Sequence, residues 1–198
     1  MTGKIRSKSV WMMFVKSFEG VQSKALRELQ ARRPELNPRS EVWGSFGRGK
    51  MWFSSSAHSE ECELLEKAML GLEISVDHTP VIWPSDEGLI YGSFDHLKLQ
   101  IHLPQEKFWI FAHEAAHAAD YLIEGDVWND EPRSVAQREL VASAAGYLLT
   151  SERLGVYDPS AEVSYAKYRG ATREDLRLLE GRIKGVANRL SSLMKSER

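Results

Sequence analysis

His113, Glu114 and His117 are the residues in this chain whose types and spacing point most directly to chemistry. Two histidines four positions apart lie on one face of a helix, so both imidazoles can reach a single ion. Zinc accepts neutral imidazole nitrogen, and a catalytic zinc keeps one coordination position open for water. Glu114, next to the first histidine, is placed to take a proton from that water, the general-base role in metal-assisted peptide hydrolysis. Ala112, Ala115, Ala116, Ala118 and Ala119 strip bulk from the same segment and permit close approach of a second element.

A third ligand is required. Asp120, Glu124, Asp126, Asp130, Glu131 and Glu139 all follow the motif. Asp120 shares the histidine face, but three convergent ligands from one helix are awkward. Residues 126–131 read as a polar, solvated loop. Glu139 falls one turn into the next predicted helix, with the small residues Ala142, Ser143 and Gly146 on the same side. Close packing of the two helices would bring it over the histidines, and the ligand set expected is His113, His117 and Glu139. Asp120 is then expected either to accept a hydrogen bond from a ligating histidine or to bond a neighbouring loop.

The elements that must position these residues follow from periodicity. Apolar residues from Trp11 to Leu29 predict an amphipathic helix over 9–33, stopped by Pro34. Residues 34–59 read as irregular. A short helix is expected from a Ser59 N-cap to Gly71, and short strand-like pieces at 72–76 and 81–83. Residues 97–103 alternate, with Leu97, Leu99, Ile101 and Leu103 facing one way, and predict a strand that pairs with 89–94 through an Asp95-His96 turn. Helices are predicted over 105–124, ending at Gly125, and from a Ser134/Gln137 capping box to Leu154. Residues 160–169 look partly helical. Thr172 and Asp175 open a last helix whose seam is Leu176, Leu179, Ile183, Val186, Leu190 and Leu193. That seam reads as core packing in preference to a dimer zipper.

These residues carry a resemblance. A helix with His113-Glu114-x-x-His117 and a second helix with Glu139 resembles the gluzincin layout of zincin metallopeptidases. The run from Arg138 to Leu149, continuing to Leu154-Gly155-Val156, is similar to the metallopeptidase domain of ArdC-type antirestriction proteins, a domain that also occurs in phage and plasmid polyvalent proteins. Ile101-His102-Leu103-Pro104 matches the strand ending in Leu-Pro before that family's motif helix. Ser143 stands where the family tends to carry a second glutamate. The stretch from His117 to Tyr121 is similar instead to the anthrax lethal factor-like zincins. Both resemblances imply the same ligands and base, and an α+β zincin-like fold. In that fold a small sheet with an edge strand precedes the motif helix, and helices fill the C-terminal half. The division implied is an N-terminal part, 1–88, packed on a metallopeptidase domain, 89–198.

The expected function is therefore a zinc-dependent endopeptidase acting on a protein substrate, with Tyr147, Tyr165 and Tyr168 as candidate oxyanion donors. The rival expectation is a non-proteolytic, antirestriction-like or DNA-associated binding protein from a phage or mobile element. A net charge of −2 over 198 residues offers no global basic field for nucleic acid. An aromatic-basic stretch (Phe46, Arg48, Lys50, Trp52, Phe53) gives single-stranded nucleic acid a minor claim. Gly44 to Lys50 has phosphate-loop spacing, but Met51 replaces the required Ser or Thr. Cys62, the single cysteine, excludes an intrachain disulfide and reads as a small buried side chain. No run reaches 18 apolar residues, and the expectation is no membrane partner and a cytoplasmic location, or a virion if phage-encoded.

Overall fold

The computed structural model describes residues 7–20, 55–79, 92–104, 107–125 and 135–197. In chain order these form helix α1 (Ser7–Gly20), helix α2 (Ser55–Leu70), strands β1 (Ser75–Asp77), β2 (Ser93–Asp95) and β3 (Gln100–His102), and five further helices. The helices are α3 (Phe108–Glu124), α4 (Val135–Leu154), α5 (Ser160–Tyr168), α6 (Arg173–Leu178) and α7 (Glu180–Ser196). The fold is α+β, mostly helical with one small sheet, as expected. No described helix is long and apolar enough to cross a membrane.

In α1 the buried residues Val10, Trp11, Phe14 and Phe18 recur at helical spacing. Phe14 lies against Trp11 and against Tyr147 of α4, with ring centroids 6.1 and 5.6 Å away. The remainder of the helix expected over 9–33 lies outside the described residues. So do the glycine-rich and aromatic-basic stretch at 44–53 and the strand expected at 81–83. Helix α2 starts four residues before its expected Ser59 cap, which places Ser59 inside the helix. It ends at Gly71 as expected, but the left-handed residue of the turn is Glu73, at φ 61°. Cys62 is buried.

The sheet has the order β1-β3-β2. Strand β1 pairs parallel to β3, with Val76 opposite Ile101, and β2 pairs antiparallel, with Phe94 opposite Ile101. Two expectations are corrected here. Among the described residues the strand preceding the motif helix is the central strand of the sheet, not an edge. It is also shorter than 97–103. Asp95 Oδ1 accepts hydrogen bonds from the backbone N–H groups of Leu97 (3.0 Å) and Lys98 (3.2 Å), a side-chain turn that competes with strand pairing. Leu99 takes a left-handed φ of 49°, and Leu97 is left 84% exposed instead of facing inward. Ile101 and Leu103 are buried, so only the second half of the alternation reaches the core. His102 is half-buried with Nδ1 3.2 Å from Asp77 Oδ2.

Helix α3 begins at Phe108 and stops at Gly125, whose φ of 56° turns the chain away. Its alanines 112, 115, 116, 118 and 119 are fully buried. Helix α4 packs on α3, with Ala142, Ala145 and Gly146 among its buried residues. A Cβ on Gly146 would come within 3.1 Å of the His113 backbone, so the absence of a side chain there sets how closely the two helices approach. Thr172 and Asp175 form a reciprocal capping box, but it opens only the short α6. The chain bends at Leu179 before α7 continues. Ile183, Val186 and Leu190 of the seam are buried within the chain, so the seam is core packing.

Between α4 and α5 lies a buried polar cluster. Tyr157 donates to Glu162 Oε1 (2.6 Å), and Tyr147 donates to the Tyr157 carbonyl (3.2 Å). Burial pushes the Glu162 carboxyl from 4.5 up to about 7, against the opposing pull of the Tyr157 hydrogen bond. The unfolded chain ionises this group near 4.5, whereas the folded chain retains the proton until about pH 7. The Glu162 contribution to stability is therefore fully present below pH 4.5 and is lost as pH rises to about 7, an amount on the order of 3 kcal/mol. Glu162→Gln is expected to abolish that part of the pH dependence, read as urea unfolding midpoints at pH 5 and pH 8; an unchanged slope would exclude Glu162 as its source.

Candidate metal centre

Helix α3 presents His113 and His117 on one face, and their rings meet edge-on at 4.9 Å between centroids. Helix α4 brings Glu139 to them. His113 Nε2 lies 3.3 Å and His117 Nε2 lies 3.4 Å from the same carboxylate atom, Glu139 Oε2. All three side chains are buried or nearly so, and their ligand atoms fall within 4.8 Å of one another. Among the described residues no other group of three or more such side chains converges in this way.

Burial by itself would raise the Glu139 carboxyl. Close contact with His113 and His117, and their charge, outweighs it and holds the group well below the usual carboxylate range. The contacts are nevertheless poor as hydrogen bonds. Both ring nitrogens of His113 and Glu139 Oε2 are buried without an aligned hydrogen-bond partner. Buried polar atoms in that state are costly, whereas a cation shared by His113 Nε2 and Glu139 Oε2 would satisfy those two together. Two imidazole nitrogens and one carboxylate oxygen form a donor set suited to zinc with one position left open.

Glu114, next in the chain to His113, is buried, its side chain packed against the backbone just before β2. A Cβ on Gly92 would come within 2.9 Å of Glu114 Cγ and 3.1 Å of Glu114 Oε1. Glycine at this position is what allows strand and carboxylate to share the space.

Asp120 is where both sequence expectations for it miss its main partner. It is fully buried, and Arg182 of α7 grips it with two contacts, Nε to Oδ1 at 2.5 Å and Nη2 to Oδ2 at 2.6 Å. Arg182 Nη1 also lies 3.5 Å from Glu124 Oε1. Glu124 is thereby directed to α7, while Asp126, Asp130 and Glu131 lie outside the described residues. Of the three tyrosines, Tyr147 points into the core against Phe14 and Tyr157, which removes it as an oxyanion donor. Tyr165 lies beside the site, its ring edge-on to His113 at 5.9 Å.

Arg169 was not foreseen from sequence. It follows α5 directly, and its Nε lies 3.8 Å from Glu139 Oε1. No local spacing rule links it to Glu139, because the contact depends on how α5 docks against α4. Comparison of the chain with protein-family models, with curated proteins and with solved structures finds no match in any of the three.

Proposed function

We propose that this chain is a zinc-dependent endopeptidase of the gluzincin type, with His113, His117 and Glu139 as the metal ligands and Glu114 as general base. The observation that carries the reading is the meeting of His113 Nε2, His117 Nε2 and Glu139 Oε2 around one buried point, next in the chain to a buried glutamate. Zinc bound there would supply Lewis-acid polarisation of a substrate carbonyl and a water acidified toward neutral pH.

The chain's own residues account for the rest. The Glu114 carboxylate takes the proton of the attacking water and delivers it to the leaving amine nitrogen. Its confinement against Gly92 limits the rotamers it must give up to do so. Tyr165, by its position beside His113, is the proposed donor to the developing oxyanion. The buried surroundings of all four charged or titratable groups exclude bulk water and strengthen each electrostatic contact.

Metal content tests the reading before any substrate is known. Protein purified without added metal is expected to carry about one zinc per chain, and His113→Ala and Glu139→Ala to lose it while remaining folded. Folded wild-type protein that stays metal-free after zinc addition would overturn the proposal.

A further inference from the structure

The two oxygens of Glu139 face different partners. Oε2 is the atom shared by His113 and His117, and Oε1 faces the guanidinium of Arg169. We infer that Arg169 is a positioning residue that holds Glu139 Oε1 away from the metal point, so that the carboxylate offers a single oxygen to it. The inference rests on the metal-site reading above.

The backbone supports this role. Arg169 occupies the last position of a closed helix end: Gly170 N–H donates to the Lys167 carbonyl and Ala171 N–H to the Ala166 carbonyl, both at 3.0 Å. Gly170 takes a φ of 99°, a conformation that glycine adopts without strain. This pattern, with paired short and long closing bonds around a left-handed glycine, fixes the direction in which the chain leaves α5. It therefore fixes where the Arg169 stem starts. The same helix carries Tyr165 against His113, so one rigid element presents both residues to the site.

A carboxylate free to rotate can offer one oxygen or two, and two would occupy the position that water needs. A cation on the far oxygen opposes that rotation. Partners of metal ligands typically act in this way, orienting the ligand and tuning the metal without touching it. The guanidinium is partly exposed, so its contribution is one of orientation more than of stability.

The test uses the full chain loaded with zinc, for affinity by chelator competition, and with cobalt(II), for the visible absorption that reports coordination number. Arg169→Ala is expected to weaken zinc binding by about tenfold or more and to change the cobalt bands, with unaltered circular dichroism. Arg169→Lys, which keeps the charge, is expected to recover most of both. Arg173→Ala removes the same charge four residues on, from a guanidinium that binds Glu19, and is expected to leave both readouts unchanged. Wild-type affinity and spectrum in Arg169→Ala would overturn the inference, as would equal losses in the Arg173 variant or no recovery with lysine. A wild-type chain that binds neither zinc nor cobalt would sink the metal reading itself, and this inference with it.

Discussion

Glu114→Gln is expected to reduce peptide hydrolysis by about 10²–10⁴-fold while leaving zinc stoichiometry at the wild-type level. The substitution is nearly isosteric, so the amide fits the space between α3 and the Gly92 backbone that the carboxylate now fills. It does not touch His113, His117 or Glu139, whose side chains converge without it. What the amide cannot do is accept a proton. The check is cleavage of a complex peptide mixture read by mass spectrometry, with wild-type and variant protein at equal zinc occupancy. Cleavage at the wild-type rate by the variant would remove Glu114 from the chemistry. A function of the chain in binding a partner protein or DNA, by contrast, would survive the substitution.

Arg182→Ala is expected to cost about 3–5 kcal/mol of folding stability, the largest loss anticipated for a single side chain away from the metal ligands. The arginine is the bidentate partner of a carboxylate with no solvent exposure, and removing it strips two charge-assisted hydrogen bonds from the buried Asp120. The pair also joins α7 to α3 one turn beyond His117, so its loss loosens the helix that carries both histidine ligands. Urea unfolding at pH 7 measures the effect. The double variant Asp120→Asn, Arg182→Met should recover a substantial part of the loss, because it removes both charges together. A double variant as unstable as Arg182→Ala alone would show that the loss comes from packing and not from the broken charge pair.

Much of this architecture was legible from local rules. The four-residue spacing of His113 and His117 places them on one face of any helix, whatever surrounds it. Gly125 as a terminator, the Thr172/Asp175 capping box and the buried repeat of Ile183, Val186 and Leu190 follow from equally local physics. Even Glu139 could be favoured over Asp126 to Glu131, because small residues on its helix face signalled close packing.

Local rules stop where two elements must agree on a distance. Asp120 and Arg182 are 62 positions apart, and their pairing exists because α7 crosses α3 at that point. Tyr147 and Tyr165 are indistinguishable by residue type, yet one is turned into the core by α1 and the other toward His113 by α5. The apolar alternation through Leu97 and Leu99 promised a longer strand, and it lost to hydrogen bonds that a single aspartate side chain accepts from the backbone. Residue type and spacing along the chain settle which groups share a helix face, since backbone geometry is universal. Which faces meet, and therefore which carboxylate finds a cation and which finds two histidines, is set by packing over the whole core, where small residues such as Gly146 control approach by fractions of an ångström.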